Sequence, residues 1–277
     1  MSLGIVIKGP EGVVLAADSR VTLTAAQAGM APIPITFDNV TKLLTFSGHP
    51  YVGAVTYGQA VIGLRTAHSF IPEFELELRT GDAKRIPIAD FASELSRFFM
   101  ARWKEGIAGE YNGPPMTFIV AGYDEGSPYG KVFLFHIPAE PKPLEQHSGQ
   151  EFGMTWGGQL QIASRIIHGY DPMLIEMANQ GSFLQPEMQH AYKAEIAKLQ
   201  WQIPWQILPL QDCVDLAANL ISITKFMQNV GITIRGVGGM TEIATVTRTR
   251  DLSFVQRKRL HGEYSDGVEI DPRAGGR

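Results

Sequence analysis

The stretch GVVLAADSR, residues 12–20, has five consecutive apolar residues and then stops on an acid. An apolar run of this length, bounded by a glycine, is typical of a buried β-strand. The run before it, SLGIVIK (residues 2–8), has the same character, and the intervening GPEG favours a turn. Residues 2–18 are therefore predicted to form a β-hairpin, and the question is what Asp18 does at its end.

Length and composition limit the classes of protein. The chain has 277 residues, 44% of them hydrophobic and 19% charged, so it can build a large packed core as one large domain or two small ones. Its net charge of −4 argues against a nucleic-acid partner, which needs a basic surface. The single cysteine, Cys213, excludes an internal disulfide and fits a reducing compartment.

The sequence contains no recognisable membrane or export signal. It lacks the run of about eighteen apolar residues that a transmembrane helix needs, and MSLGIVIKG has neither the charged segment nor the cleavage site of a signal peptide. We therefore expect a cytoplasmic protein with no membrane partner. The seven histidines are scattered, without an HExxH motif or a close His–Cys pair, so neither a metal site nor a cofactor is expected.

Strand patterns recur along the chain in pairs. Residues 41–48 and 51–58 are predicted to form a second hairpin that turns at Gly-His-Pro, and 116–124 and 130–138 a third, because apolar runs there flank turn residues. Residues 240–258 are predicted to contain two closing strands. A loop is predicted for the Ala-, Gly- and Pro-bearing segment at 23–38.

Helices are predicted where apolar residues recur every three or four positions. Helical spacing begins near Gln59, and later helices are predicted at about 87–104, 158–170, 186–200 and 212–227. Hairpins form antiparallel sheets, and helices grouped between them can cover two faces. This order favours an α+β fold of two stacked sheets with helices outside.

Asp18 has an ordinary interpretation and a chemical one. An acid at the end of a strand most often forms a turn or pairs with a nearby arginine, here Arg20. Alternatively, Asp18 holds Lys42, which opens the third strand, although a strand-end lysine taken singly is more often solvated. The α-amine of a chain that begins on its first strand has a pKa near about 7.7–8, so it can act as a general base beside a hydroxyl nucleophile.

Four blocks, in order, resemble the proteasome subunit family: GIVIKGPEGVVLAADSRVT, KLLTF, YVGAVTYGQA and GGMTEIATVTR, within about residues 2–255. The family consists of N-terminal-nucleophile hydrolases, and the resemblance implies a four-layer αββα sandwich of that type. It also implies a homo-oligomeric ring, with contacts expected from the helices at 87–104 and 212–227. The implied substrate is a peptide or an unfolded protein.

Carried over residue by residue, the resemblance implies a catalytic set of Ser2, Asp18 and Lys42. Asp18 matches the family's acid at the end of strand two, and Lys42 matches its lysine at the start of strand three. Active members begin at an unmasked threonine, and ungapped counting from Asp18 puts Ser2 at that place. An alignment with a longer GPEG turn puts the nucleophile just upstream of Met1 instead, and the residues do not separate the two.

Some positions depart from the family pattern. Val55 aligns with the glycine whose N–H stabilises the oxyanion, Trp156 replaces a supporting serine, and no supporting Asp and Ser are evident at 229–237. Gly236–Gly239, GVGG, is interpreted as a turn. Two functions therefore remain: an N-terminal-nucleophile peptidase or amidohydrolase, and a non-catalytic structural subunit.

The resemblance also implies the domain organisation. One domain is expected over residues 1–257, with an additional helical insertion at about 184–209. The segment 258–277 has no apolar period and is expected to be a disordered tail.

Overall fold

The computed structural model describes residues 2–25, 33–78, 85–180 and 186–259. In these residues most strands belong to two five-stranded antiparallel sheets. The first sheet has the order β12 (Gly153–Gly158), β1 (Leu3–Lys8), β2 (Val13–Ala17), β13 (Glu242–Val246) and β14 (Ser253–Gln256). The second has the order β11 (Glu140–Gln146), β10 (Lys131–Ile137), β9 (Met116–Gly122), β6 (Val52–Gly58) and β5 (Leu43–Thr45).

The remaining elements are two short hairpins and a set of helices. The hairpins consist of β3 (Val21–Ala25) with β4 (Ile33–Phe37), and β7 (Val61–Ile62) with β8 (Arg65–Thr66). A 3-10 helix at Ala67–Phe70 leads into α1 (Ile71–Glu77), and the others are α2 (Ile88–Gly106), α3 (Leu160–His168), α4 (Met173–Gln180), α5 (Pro186–Ala197) and α6 (Leu210–Val230). The fold is thus a mixed α/β fold with antiparallel sheets, as the order of patterns predicted.

Strand β1 shows why its sequence is apolar at nearly every position. Successive side chains of a strand point to opposite faces. Ile5 and Ile7 pack with α6 residues such as Leu220, whereas Val6 packs with Val55 of the second sheet. Both faces of β1 are therefore buried, and a continuous apolar run is what such a strand requires.

Two further apolar clusters place the helices against the sheets. Phe91 and Phe99 of α2 are fully buried against Phe118 of β9 and its neighbours. On the other sheet, α3 and α6 contribute Ala163 and Cys213 to the cluster that contains Ile5. The helix predicted at about 212–227 is found as part of α6, and its buried face includes residues spaced three or four apart: Cys213, Ala217, Leu220, Ile221 and Thr224.

The prediction of a loop at 23–38 is wrong within the described residues. Strands β3 and β4 pair from Val21 opposite Phe37 to Ala25 opposite Ile33, and residues 26–32 lie outside the described part of the chain. Pro34 obscured the strand pattern, since proline cannot donate to a sheet ladder. A two-stranded hairpin tolerates it, because each strand has an unpaired edge.

Other differences concern elements that the sequence left unassigned. Strand β11 was not predicted, since its sequence EPKPLEQ contains two prolines and two acids, but an edge strand accepts both. Gly158 ends β12 rather than opening a helix, and near Gln59 the chain forms β7 and β8 before any helix. The three predicted hairpins and the two closing strands are confirmed.

The structure does not test the two predictions on domain organisation, the helical insertion and the disordered tail. The proposed insertion at 184–209 includes α5, and its described part begins at residue 186. The proposed tail lies outside the described residues from position 260 onward, while Lys258 donates to Thr41 Oγ1 at 2.9 Å. No helix of the described segments combines the length and apolar character needed to cross a membrane.

Candidate active site

Asp18 lies directly after β2 and is a hydrogen-bond acceptor on both carboxylate oxygens. Oδ1 accepts from the backbone N–H of Leu3 at 3.0 Å and from Lys42 Nζ at 2.8 Å. Oδ2 accepts from the N–H of Arg20 at 3.1 Å and from the N–H of Gly238 at 3.0 Å. The side chain is fully buried, so these four donors replace the water that an ionised carboxylate would otherwise need.

Lys42 lies just before β5, and its ammonium group is surrounded by oxygen atoms. Nζ donates to Asp18 Oδ1 at 2.8 Å, to Ser2 Oγ at 2.8 Å and to the carbonyl of Arg20. Three acceptors match the three N–H bonds of the protonated amine. Burial lowers the pKa of Lys42 below its usual value, and the charge of Asp18 opposes that shift. The predicted meeting of Asp18 and Lys42 is therefore found.

Ser2 precedes β1 and is held at both its side chain and its backbone. Its Oγ is the acceptor from Lys42, and its carbonyl accepts from the N–H of Gln159 at 2.6 Å. Gly158 has a φ of +98°, and a Cβ at this position would lie 1.9 Å from the carbonyl oxygen of Ser2. The chain can pass this closely only because residue 158 has no side chain.

The loop between α6 and β13 closes the site from the other side. The N–H of Gly238 donates to Asp18, and its carbonyl accepts from the N–H of Ser19 at 3.0 Å. A Cβ at position 238 would lie 2.4 Å from Arg20 Nε, so a larger residue there would displace the Arg20 side chain. The guanidinium of Arg20 pairs with Asp38 at 2.5 Å, through a bidentate contact, and only the backbone N–H of Arg20 reaches the Asp18 side chain. The interpretation of Asp18 as the ion-pair partner of Arg20 is therefore wrong, whereas the contact with the N–H two residues on is that of a turn-forming acid.

A small pocket, partly open to solvent, lies beside Ser2 and Lys42. Its walls come from β6 with the residues after it, from the segment before β5, and from the ends of β3 and β8. The lining residues other than Ser2 and Lys42 are Val21, Val40, Thr41, Thr56, Tyr57, Gly58, Gln59, Ala60, Thr66 and Ala67.

The structure places Val55 away from the pocket and Gly58 in its wall. Val55 is fully buried in the ladder between Leu43 and Ile119 and does not line the pocket. The N–H of Thr56 donates to the carbonyl of Lys42, and amides along a strand alternate in direction. The N–H of Gly58 therefore points to the same side as that of Thr56, beyond the start of β5 and toward the pocket.

The structure also changes which residues support Ser2. Trp156 pairs with Ile5 and packs in the helix-side cluster, so it is not the residue beside Ser2; Gln159 is. Sequence reasoning missed Gly238 because GVGG resembles an ordinary turn. The signal that could have identified it is the buried Asp18, which needs more hydrogen-bond donors than its own strand supplies.

No metal or cofactor is needed to satisfy this arrangement. Within the described ranges, no group of three or more His, Cys, Asp or Glu side chains is placed to hold a metal ion. The charged and polar atoms of Ser2, Asp18 and Lys42 satisfy one another and the surrounding backbone. The chemistry available here is that of a hydroxyl beside a buried lysine–aspartate pair.

Comparison with known proteins identifies the fold. A solved structure of a Gly-1 mutant of Anbu from Hyphomicrobium sp. strain MC1 matches this chain with a TM-score of 0.54 at 12% sequence identity. The match covers 95% of this chain and 88% of that chain. No protein-family model matches the sequence, and no curated protein matches it either. The likeness shows that the chain has the proteasome-like fold of Anbu.

Proposed function

We propose that this protein is a proteasome-like peptidase or amidohydrolase in which the hydroxyl of Ser2 is the nucleophile. The observation that carries the proposal is the buried series of contacts from Ser2 Oγ to Lys42 Nζ and on to Asp18, each 2.8 Å long, beside an open pocket. Activity requires a free α-amine on Ser2, so the peptide bond before Ser2 must be cut.

In the first step, Ser2 Oγ attacks the carbonyl carbon of the scissile amide. Because Oγ accepts from Lys42, its own proton is available to the Ser2 α-amine, which acts as the general base. The positive charge of Lys42 stabilises the developing alkoxide, and Asp18 holds that charge in place. The N–H of Gly58 is proposed to stabilise the oxyanion.

Two further steps complete the reaction: the tetrahedral intermediate collapses to an ester, and water then hydrolyses that ester. The α-ammonium returns its proton to the leaving nitrogen, the C–N bond breaks, and an ester to Ser2 remains. A water molecule gives a proton to the α-amine and adds to the ester carbonyl. The bond between Ser2 Oγ and the acyl carbon breaks, Ser2 Oγ recovers the proton, and the acid product leaves.

The wider proposal concerns architecture and assembly. We infer that the two sheets and their helices correspond to the four-layer αββα sandwich of N-terminal-nucleophile hydrolases, and that copies of this chain associate into a ring. The resemblance of the sequence blocks and the Anbu-like fold support this inference. The proposed substrate is a peptide or an unfolded protein segment, whose side chain next to the scissile bond occupies the pocket.

The test starts from protein whose first residue is Ser2, produced by cutting a fused leader. We expect hydrolysis of fluorogenic peptides and covalent labelling by an electrophile that reacts with a hydroxyl and its neighbouring amine. Ser2→Ala and Lys42→Ala should each lower kcat/KM by about 10³-fold or more, because a unit of interdependent groups loses most of its rate with any one member.

Matched variants separate loss of the nucleophile from general damage. Ser2→Thr keeps a hydroxyl and should retain activity, and Ser47→Ala, which removes an exposed hydroxyl paired with Glu75, should change nothing. Activity that survives Ser2→Ala would place the nucleophile elsewhere. A folded, leader-free protein with neither hydrolysis nor labelling would instead be a non-catalytic structural subunit.

A further inference from the structure

Lys225, on α6, approaches the candidate active site from the helix side. Its Nζ donates to the carbonyl of Gly239 at 2.7 Å and to Thr241 Oγ1 at 2.6 Å. Both partners belong to the loop that presents the N–H of Gly238 to Asp18. Lys225 and Asp18 therefore bind the same loop from opposite sides.

A second α6 side chain shows that this loop is fixed by the helix. Gln228, one turn after Lys225, accepts from the N–H of Val237 at 2.9 Å and is buried. Residues three positions apart lie on one helix face. Two side chains of α6, Lys225 and Gln228, therefore anchor the loop, and of the two only Lys225 brings a charge to the site.

The described charged groups that act on Lys42, the neighbour of Ser2, and on Lys225 do not cancel. Asp18 neutralises Lys42, and Asp38 neutralises Arg20. Lys258, which also faces Lys42, pairs with Glu242. Among the described residues, no carboxylate forms an ion pair with Lys225. The charged groups that act on Lys225 are Asp18, Lys42, Arg20 and Asp38.

We propose that Lys225 is a positioning residue whose uncompensated charge keeps the Ser2 α-amine neutral, and so able to act as the base, at lower pH. This inference rests on the proposed function of Ser2. A nearby cation disfavours protonation of an amine, and the low local dielectric of a buried site extends that effect. Burial also lowers the pKa of Lys225 itself, while Asp18 favours its charged form.

The chemical consequence is a site that differs from a simple Lys–Asp pair. In the proposed reaction the base must be unprotonated before it can take the proton of Ser2 Oγ. The ordinary pKa of an α-amine is about 7.7–8, so at neutral pH most of it would be protonated and inactive. Lys225 increases the neutral fraction without touching the reacting atoms.

The test compares Lys225→Gln, which keeps a hydrogen-bond donor but loses the charge, with Lys225→Arg, which keeps both. The acidic limb of the pH profile of kcat/KM should move to higher pH by about 0.5–1 unit in Lys225→Gln and stay in place in Lys225→Arg. The sign follows because removing a cation raises the pKa of the amine. Lys225→Met serves as a second uncharged variant if Lys225→Gln does not fold.

A second readout does not depend on turnover. The rate at which acetic anhydride acetylates the Ser2 α-amine, followed across pH by mass spectrometry of the N-terminal peptide, reports the pKa of that amine directly. The same upward shift is expected in Lys225→Gln. If the wild type shows no hydrolysis but the shift occurs, the proposed function fails, whereas the effect of Lys225 on the pKa of the Ser2 α-amine stands.

Two controls separate charge from loop geometry. Thr241→Val removes one partner of Lys225 while keeping the charge, and Lys104→Met removes an exposed charge from α2; neither should shift the amine. The proposal is overturned if a folded, uncharged variant leaves the acetylation profile unchanged. It is also overturned if Lys225→Arg or Thr241→Val shifts the profile as much as Lys225→Gln does.

Discussion

At the scale of single residues, the central feature is how hydrogen bonds satisfy the buried carboxylate of Asp18. Asp18 has the polarity of a turn residue and the position of a core residue. Four N–H donors from four separate parts of the chain converge on it, and Lys42 shares one of its oxygens with Leu3. A carboxylate with this many partners fixes the relative positions of the strand ends that supply them.

Breaking the ion pair between Asp18 and Lys42 should cost far more stability than breaking the pair between Arg20 and Asp38. Asp18→Asn leaves the buried ammonium of Lys42 without its counter-charge and should lower the free energy of unfolding by about 3–5 kcal/mol. Asp38→Asn changes the same atoms in a half-exposed pair and should cost about 1 kcal/mol or less. Urea denaturation of both variants measures the difference. Equal costs would mean that the pair with Lys42 is not the stronger one.

The sequence predicted Asp18 and Lys42 but not the residues that hold them. Both acid and lysine lie at the ends of apolar runs, where an ionisable side chain needs a partner, and adjacent strand ends supply one. Gly238, Gln159 and Lys225 were not predicted. Gly238 and Gln159 act through backbone N–H groups that lie 220 and 157 residues from Asp18 and Ser2, and Lys225 acts through the loop that presents Gly238. No local pattern encodes such contacts.

At the scale of elements, the turn from β12 into α3 determines where Ser2 lies. Gly158 has a positive φ, and the next residue, Gln159, donates its N–H to the carbonyl of Ser2. Periodicity predicts the apolar body of α3 well, but it cannot show that the residues before the helix contact the start of the chain. Strand β12 was missed for a related reason, since GMTWGG contains three glycines.

Gly158→Ala should displace Ser2, whereas the matched change Gly126→Ala should not. Both glycines have positive φ, so both variants pay a backbone strain of about 1–2 kcal/mol. At position 126 nothing lies within 4 Å of the new methyl group, but at 158 it meets the Ser2 carbonyl. We therefore expect Gly158→Ala to lose additional stability and nearly all peptide hydrolysis. Thermal unfolding and kcat/KM of both variants provide the comparison, and indistinguishable variants would contradict it.

At the scale of the whole molecule, the helix α6 differs from α2 on its outer surface. The structure describes α2 completely, and none of its large apolar side chains is exposed. The second half of α6 and the loop after it expose several of them: Ile223, Phe226, Met227, Val230, Ile232, Ile234 and Met240. The four on α6 recur at three- and four-residue spacing and so share one helix face. An exposed apolar face is typical of an interaction site. Of the two helices predicted to supply ring contacts, α6 is therefore the one we propose.

Replacing two of these side chains should dissociate the proposed oligomer. Phe226→Glu combined with Ile232→Glu puts two charges on the apolar surface, and sedimentation at micromolar concentration should shift from an oligomer to a monomer. Leu64→Glu changes an almost fully exposed leucine in the turn between β7 and β8, and should leave the oligomer intact. A wild-type monomer, or an oligomer that survives the double change, would contradict this assignment.

The overall architecture could be predicted from the sequence more completely than the candidate active site. Hairpins follow from paired apolar runs around turn residues, and the long helices α2 and α6 follow from their apolar spacing, since each property is local. Prolines in β4 and β11 concealed strands because edges tolerate a residue that interior strands exclude. The order of strands in each sheet joins residues far apart in the chain, so no local pattern predicts it.

The buried position of Cys213 makes this chain favourable for chemical profiling. The thiol is enclosed by apolar neighbours, and that burial raises the pKa of Cys213 to about 11. At neutral pH the reactive thiolate is therefore nearly absent, and the chain has no other cysteine. An electrophilic probe that modifies the folded protein would therefore have very little competition from sulfur, so a mass increase of the intact chain would report modification at a site other than Cys213.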